Sequence, residues 1–188
     1  MILVVDHYDS FTFNLVQLIE SLGVETEVVK SDEQPAEALI ATRPEGVILS
    51  PGPGRPEDAG CFPDLLRELP EDTPLLGVCL GHQALGVWSG GRVERAAPVH
   101  GKASQVHHTG TGILEGVEDP FEAARYHSLV VLADDLPPAL ELTAWTDDGL
   151  VMAVQHRELP RFGVQFHPES ILTPEGPRIV ENFLKLTR

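Results

Sequence analysis

Cys79 is the residue best placed for nucleophilic chemistry, because it lies between two glycines in the segment 77–83, GVCLGHQ. The apolar run 74–78 predicts a short buried strand and residues 82–88 predict a helix, so the cysteine falls at a strand-to-helix corner. Glycines two positions before and after it permit the sharp turn of a nucleophile elbow. The amides that begin a helix favour a thiolate and leave N–H donors beside it. For this motif taken alone, a small buried cysteine without chemistry is the alternative.

A base and a carboxylate occur together in a second segment, residues 163–170, far from the cysteine along the chain. Apolar and polar residues alternate from 162 to 167, which predicts a half-buried strand that ends at Pro168. His167 and Glu169 would then lie at the carboxyl edge of a sheet, as Cys79 does. The three side chains would suit the nucleophile, the base and the orienting carboxylate of a catalytic triad.

The remaining sequence predicts an α/β fold, with a mostly parallel central sheet flanked by helices and a smaller antiparallel addition. Alternating strands and helices in the first half are typical of a parallel sheet; they are expected at 2–5, 12–22, 24–29, 35–41 and 46–49. Short strands broken by turns and a hairpin predict the antiparallel part; they are expected at 92–95, 99–106, 129–132, 140–145 and 150–155. The chain closes with a helix predicted at about 174–186.

The loop Pro51–Gly54 follows a predicted buried strand, so it should lie at the same sheet edge as Cys79. In open α/β sheets that edge is where ligands bind. The loop is not a phosphate loop, since it lacks the Gly-Lys-Ser/Thr ending and a helix that follows directly. A rigid turn without a catalytic duty is the alternative reading of its prolines and glycines.

Composition narrows the classes of protein that remain. With 188 residues and 42% hydrophobic composition, we expect one domain, residues 1–188, with a full core. The formal net charge of −16 argues against binding to nucleic acid or to an anionic membrane surface and favours a well-solvated surface. No tract carries the features of a signal peptide or the roughly 20 apolar residues of a membrane span.

The two cysteines differ in context, and neither the cysteines nor the histidines predict a metal site. Cys61 lies in a Gly/Pro-rich stretch and is interpreted as a loop residue with an incidental thiol. Two cysteines cannot form a disulfide scaffold, which fits a reducing cytoplasm. The adjacent His107 and His108 would point to opposite faces of a strand and have no further ligand at a suitable spacing.

Three separated motifs, residues 51–54, 77–83 and 165–170, make the chain resemble a class I glutamine amidotransferase from residue 2 to about 186. The resemblance implies that Cys79, His167 and Glu169 form the catalytic triad. It also implies that the backbone N–H groups of Gly54 and Leu80 form the oxyanion hole. The further glutamine contacts that it implies are Gly52, Pro53, Gln83, Ser128 and Leu129. Gln83 lies four residues after Cys79, which places both on the same helix face.

Within that family, residues 6–12, 100–102 and 126–129 resemble the glutaminase subunit of anthranilate synthase or of aminodeoxychorismate synthase. The resemblance implies hydrolysis of L-glutamine to glutamate and ammonia, with the ammonia passed to a chorismate-using synthase subunit faced by residues 100–102. It implies no cofactor on this chain and Mg²⁺ on the synthase partner. The tryptophan and folate pathways are both open.

Two other functions are compatible with parts of the sequence. One is a stand-alone cysteine hydrolase of γ-glutamyl amides, against which the segments typical of partnered subunits argue. The other is a non-catalytic binding subunit, against which the intact set of Cys79, His167 and Glu169 argues. One departure from the family pattern is His7, which stands where asparagine is usual.

Overall fold

The computed structural model describes residues 1–187, whose strands and helices alternate in the first half of the chain as the sequence predicts. The strands are β1 Ile2–Asp6, β2 Thr26–Lys30, β3 Gly46–Leu49, β4 Leu75–Val78, β5 Val93–His108, β6 Phe121–Val131, β7 Leu140–Thr146, β8 Val151–His156 and β9 Arg161–Val164. The helices are α1 Thr12–Ser21, α2 Ala36–Ala41, α3 Phe62–Glu68, α4 Leu80–Trp88 and α5 Gly176–Lys185. Short 3₁₀ turns occur at Pro56–Asp58 and Gly112–Leu114.

The strands form one mixed sheet in the order β2-β1-β3-β4-β9-β8-β7-β5-β6. The first five strands in that order are parallel, and β9 also pairs antiparallel with β8, so it joins the two parts. Parallel pairing brings the carboxyl ends of β1, β3, β4 and β9 to one edge. The predicted α/β fold with an antiparallel addition is therefore confirmed.

Helices cover both faces of the parallel part, which explains its continuous apolar strands. Along β1, Ile2 and Val4 pack in a core cluster with α1 and α5, whereas Leu3 and Val5 pack on the other face with α2, α3 and α4. This alternation follows from the period of two along a strand. Within residues 1–187, no helix is long and apolar enough to cross a membrane.

Strand β9 differs from the half-buried strand that the sequence predicts, because all four of its residues are buried and it ends at Val164. Phe162 and Val164 pack in the cluster with α5, and Gly163 faces His82 of α4. Both faces of the strand are thus covered by helices, which alternation along the sequence does not reveal.

The antiparallel part is more continuous than predicted. The sequence predicts separate short pieces at 92–95, 99–106 and 129–132, whereas β5 and β6 are two long paired strands. Their register shifts between Arg95 and Val99 and again between His100 and Lys102. Proline and glycine near these points produce bulges that interrupt the register without ending the strand.

The segment around Cys61 is also more ordered than predicted. Cys61 is buried and directly precedes α3, a helix that the sequence analysis missed. Its N–H donates a hydrogen bond to the carbonyl of Ser31, and burial raises the pKa of its thiol to about 11. Pro63 suggests a loop, but proline is tolerated in the first turn of a helix. Cys61 is thus a turn residue, as expected, but its thiol is buried.

The turn from β4 into α4 depends on glycines that remove side chains where backbones meet. A Cβ on Gly77 would lie 2.4 Å from the backbone of Gly81, and one on Gly81 would lie 2.4 Å from the carbonyl oxygen of Leu49. Both contacts are with backbone atoms, which cannot rotate away. The two glycines flanking Cys79 therefore allow α4 to start close against β3 and β4.

We predict that Gly81→Ala displaces the turn and lowers the free energy of unfolding by about 1–3 kcal/mol, the usual cost of overpacking. Gly86→Ala on the same helix is the matched control. Its Cβ would lie 2.8 Å from a methyl group of Val131, a side chain that shifts more easily than backbone, and the helix gains up to about 1 kcal/mol in propensity, so we expect a smaller loss. Urea unfolding of both variants measures the difference. Equal stabilities would contradict this account of the turn.

Candidate active site

Cys79 is held in a strained conformation at the end of β4. It has φ of 52° and ψ of −98°, a region that non-glycine residues rarely occupy. Its N–H donates to the carbonyl of Val164 in β9 (2.8 Å), and its own carbonyl accepts from the N–H of Gln83 in α4 (3.0 Å). Backbone bonds to two elements thus hold the strain, which is frequent at functional sites. The side chain lies at the start of α4, where backbone N–H groups lack helical partners.

His167 and Glu169 form a buried hydrogen-bonded pair just beyond β9. Nδ1 of His167 donates to Oε1 of Glu169 at 2.6 Å, and both side chains are at most 3% exposed. The backbone of His167 is fixed from two sides, because its N–H donates to Ala124 of β6 and its carbonyl accepts from the hydroxyl of Thr173. The carboxylate is therefore placed to orient the imidazole, the role that the sequence predicts for it.

The charge state of His167 is set by its neighbours. Burial alone would lower its pKa, but Cys79 and Glu169 together outweigh this effect and raise the pKa to about 10. The imidazolium form is therefore favoured near neutral pH. Within residues 1–187, Nε2 of His167 is buried and has no hydrogen-bond partner of good geometry. Cys79 nevertheless lies close enough to raise the pKa of the imidazole. This nitrogen is the one available for proton transfer.

Two aromatic rings that the sequence analysis did not assign to the site cover His167. Phe11 and Tyr126 meet the imidazole edge-on, with ring centroids 5.5 and 5.2 Å from it, and their own centroids are 5.1 Å apart. Asp9, in the same loop as Phe11, has a pKa raised mainly by burial. The rings exclude water from the His167–Glu169 pair, which strengthens its electrostatic interaction.

A buried carboxylate anchors the loop that brings Phe11 to the site. Asp6, at the end of β1, accepts from the N–H of Asp9 (3.1 Å) and from the hydroxyl of Thr12 (2.8 Å), and it pairs with Lys30. Burial raises the pKa of Asp6, but these donors outweigh it and lower the pKa overall. The ionised carboxylate thus ties the loop to β2 and α1.

The Pro51–Gly54 loop lies at the carboxyl end of β3, as predicted. Gly52 packs against His7, since a Cβ there would lie 2.6 Å from the carbonyl oxygen of His7. Pro53 and Gly54 are exposed, and Gly54 has φ of 83°. The substrate contacts of Gly52, Pro53 and Gly54 remain predictions. The ring of His7 bonds to the hydroxyl of Ser31 (2.7 Å) and contacts Phe62, so it completes the packing between loops.

The remaining predicted substrate residues come from α4 and β6. Leu80 is buried at the first position of α4, where its N–H has no helical partner. Nε2 of Gln83 donates to the carbonyl of Leu129 at 3.0 Å, so these two residues meet. Ser128 is exposed on β6, which begins well before the strand predicted at 129–132. Their glutamine contacts remain predictions.

Sequence reasoning missed Gln165 as a site residue. Its side chain is fully buried, and its Nε2 lies 3.6 Å from Sγ of Cys79. Two buried histidines lie behind the site: burial lowers the pKa of His82 to about 3 and that of His127 to about 4, so both are neutral. The alternation around position 165 was visible in the sequence, but its contact with position 79 depends on the pairing of β9 with β4.

No group of three or more His, Cys, Asp or Glu side chains suited to a metal ion occurs in the described part of the chain. His107 does meet carboxylates from elsewhere, since its Nε2 lies 2.6 Å from Asp147 and its Nδ1 lies 3.9 Å from Asp119. His108 instead bonds through Nε2 to the carbonyl of Glu118 (2.9 Å). The sequence analysis missed these carboxylates because they lie in later loops.

The arrangement suits acyl transfer through a covalent thioester. A thiol at a strand-to-helix turn, an imidazolium oriented by a carboxylate and free helix amides are the parts that this chemistry needs. A site of this kind at the carboxyl edge of an α/β sheet is the arrangement expected of an amide-cleaving enzyme with a cysteine nucleophile.

The chain belongs to the class I glutamine amidotransferase family, because the family described as "Glutamine amidotransferase class-I" matches residues 3–186. Anthranilate synthase component 2 of Azospirillum brasilense is 52% identical over 100% of this chain and 97% of its own length. The protein of the same name from Mycobacterium tuberculosis (strain H37Rv) is 55% identical over 97% of this chain and 81% of its own. These findings confirm the resemblance seen in the motifs.

A solved structure supports the same assignment of the fold. A putative GMP synthase subunit from Thermoplasma acidophilum superposes with a TM-score of 0.88 at 26% sequence identity, over 99% of this chain and 92% of that chain. The fold is thus shared with another protein over nearly the full length of both chains.

We predict that Glu169→Gln lowers kcat for glutamine hydrolysis by roughly 100-fold, because the imidazole loses its orienting charge. His167 has a raised pKa in the folded chain, so its contribution to stability is complete below its ordinary value of 6.5 and is lost as pH rises through about 10. The variant should lose the part of this pH-dependent free energy of unfolding that Glu169 contributes, while the part due to Cys79 is retained. Glutaminase assays and unfolding between these pH values measure both effects.

Glu181→Gln is the matched control, since it removes the same charge from an exposed position on α5 that pairs with Lys185. It should leave kcat and the pH dependence of stability near those of the unaltered chain. If both variants behave alike, the His167–Glu169 bond does not have the role assigned to it.

Proposed function

We propose that this chain is the glutaminase subunit of an anthranilate synthase, which hydrolyses L-glutamine and passes the ammonia to a chorismate-using synthase subunit. The observation that carries the proposal is the buried His167–Glu169 pair beside the strained Cys79, in a chain that belongs to the glutamine amidotransferases. The names of the relatives that match nearly its whole length support the choice of anthranilate synthase.

Catalysis begins with the thiolate of Cys79, which attacks the γ-carboxamide carbon of glutamine. His167 donates its Nε2 proton to the amide nitrogen, the C–N bond breaks, and ammonia leaves. A γ-glutamyl thioester then links the substrate to Sγ. Water attacks the thioester while Nε2 accepts a proton, and glutamate departs as the thiolate and the imidazolium form again. Glu169 holds the ring in place throughout.

Backbone amides stabilise the negative charge that forms on the amide oxygen. We assign this role to the N–H of Leu80, which lacks a helical partner, and to that of Gly54 in the loop after β3. One such donor is worth roughly 2.7–4 kcal/mol in the transition state. Ser128 and Leu129 would hold the α-amino and carboxylate end of glutamine through their backbone, with Gln83, Gly52 and Pro53 completing the site.

Exposed apolar side chains near the site support a protein partner at this edge. Ile171, two residues beyond Glu169, is 94% exposed, and Leu172 is 40% exposed. Tyr8 and Phe13, which follow β1, are 57% and 59% exposed. A partner seated here would cover these side chains and receive ammonia before water converts it to ammonium. Residues 100–102 of β5 would face the same subunit, which is expected to carry the Mg²⁺ of the synthase reaction.

The proposal is tested by glutamate release from glutamine by the purified chain, alone and with component I of either synthase. We expect anthranilate synthase component I to raise turnover several-fold and to form anthranilate from chorismate and glutamine. Cys79→Ser should abolish both glutamate release and glutamine-dependent synthesis, because it removes the thiolate. If component I of aminodeoxychorismate synthase alone activates the chain, the folate pathway replaces the tryptophan pathway.

The same assay tests whether the exposed apolar side chains near the site bind the partner. Ile171→Asp should weaken activation by component I, whereas Leu186→Asp should not. Leu186 is a comparably apolar, 47% exposed residue, and the adjacent Thr187 packs against Gly46 at the amino end of β3, away from the site. Fast glutamate release that no partner changes would overturn the subunit proposal in favour of a stand-alone γ-glutamyl amide hydrolase.

A further inference from the structure

Two buried glutamine side chains form a hydrogen-bonded chain that ends on the nucleophile. Nε2 of Gln83 donates to the carbonyl of Leu129 at 3.0 Å and to Oε1 of Gln165 at 3.1 Å. Nε2 of Gln165 in turn lies 3.6 Å from Sγ of Cys79. Gln83 is 3% exposed and Gln165 is fully buried. The chain thus connects β6, α4 and the segment after β9 to the sulfur.

The carbonyl of Leu129 fixes the direction of every bond in this chain. A carbonyl oxygen can only accept, so Gln83 must present its NH₂ group to it. The second proton of that group then faces Gln165, which must present its oxygen. The NH₂ group of Gln165 is left facing the sulfur. The backbone of β6 therefore determines that the nucleophile receives a donor from this side.

We propose that Gln165 is a positioning residue for the nucleophile, donating a hydrogen bond that holds Cys79 in its thiolate form, and that Gln83 orients it. The inference rests on the proposed role of Cys79 and adds to it a residue outside the Cys-His-Glu triad. In the described part of the chain, Gln165 lies within hydrogen-bond distance of Sγ, and His167 also interacts with the sulfur.

The surroundings of Sγ explain why such a donor matters. Glu169 and Asp9 contribute negative charge near the site, whereas His167 supplies the positive charge. His82 of α4 and His127 of β6 are neutral, because burial lowers their pKa values, so neither stabilises an anion. A buried thiolate that loses solvent needs donors from the protein. Gln165 supplies one without adding charge.

The bond also fits the course of the reaction. The sulfur is an anion before attack and again after hydrolysis, and it is uncharged in the thioester. Hydrogen bonds to charged groups are stronger than those to neutral ones, so the Gln165 bond is strongest in the resting enzyme. Gln83 holds the amide in place while the sulfur is acylated, and the donor is therefore ready when the thiolate leaves.

Gln165→Met tests the inference, because methionine has similar length and no N–H donor. The measured quantity is the rate at which iodoacetamide alkylates Cys79, followed by peptide mass spectrometry as a function of pH. We expect the pH of half-maximal rate to rise by about one unit, so alkylation slows about tenfold below that pH. The plateau rate at high pH should be retained. Cys61 serves as an internal reference, since it lies outside this hydrogen-bonded chain and burial raises the pKa of its thiol to about 11, so neither substitution should change its alkylation.

Gln83→Met provides a second, independent variant. With Gln83 removed, the amide of Gln165 can rotate, so the profile should shift in the same direction by a smaller amount. The double variant should match Gln165→Met alone, because Gln83 acts through Gln165. A profile for Gln165→Met or Gln83→Met that superimposes on that of the unaltered chain would overturn the inference, as would shifts that add in the double variant.

Glutamate release measured on the same samples separates this inference from the proposed function. Alkylation needs no glutamine, so a shifted profile in a chain that does not hydrolyse glutamine would support the Gln165 bond and overturn the glutaminase. An unshifted profile in a chain that hydrolyses glutamine would overturn the Gln165 bond and support the glutaminase. Thermal unfolding of each variant identifies any that fail to fold, in which case the other variant decides.

Discussion

The close approach of β4, α4 and β3 around Cys79 is the constraint on which the rest of the structure depends. Gly77 and Gly81 leave no side chain where the backbones meet, and Gly163 removes a side chain where β9 passes under His82. This proximity forces Cys79 into its strained turn and lets Val164 of β9 bond to it directly. His167 and Glu169 follow β9 directly along the chain. The packing of β9 beside the Cys79 turn therefore also brings His167, the proposed base, close to the cysteine.

The site places its charges where solvent does not reach them. The imidazole of His167 and the carboxylate of Glu169 are buried beneath Phe11 and Tyr126, on a chain whose formal net charge is −16. Charges in such surroundings interact more strongly than at the surface but lose hydration. The protein compensates with fixed hydrogen bonds. Asp6 accepts two bonds that secure the loop carrying Phe11, and a pair of glutamine amides reaches Cys79. Positioning and charge stabilisation therefore share the same hydrogen bonds.

Much of this arrangement could be predicted from the sequence because its signals are local. Cys79 lies between spaced glycines, and Glu169 stands two residues after His167, so the turn at Cys79 and the proximity of His167 and Glu169 follow from short segments. Gln165 could not be assigned to the site from the sequence, because its contact with Cys79 depends on the pairing of β9 with β4. Pro63 made the segment after Cys61 look like a loop, so neither helix α3 nor the burial of Cys61 was predicted. Phe11 contacts His167 because of the conformation of the loop after β1. Hydrophobic periodicity predicts helices and strands but not the path of a loop, so this contact could not be predicted.

The central claim is that Cys79 carries the substrate as a thioester, and one measurement tests it most directly. The chain is mixed with glutamine and its synthase partner, quenched in acid during turnover and analysed by peptide mass spectrometry. We expect a γ-glutamyl group on the peptide that contains Cys79. Release of glutamate with no adduct at Cys79, or with an adduct on another residue, would contradict the account.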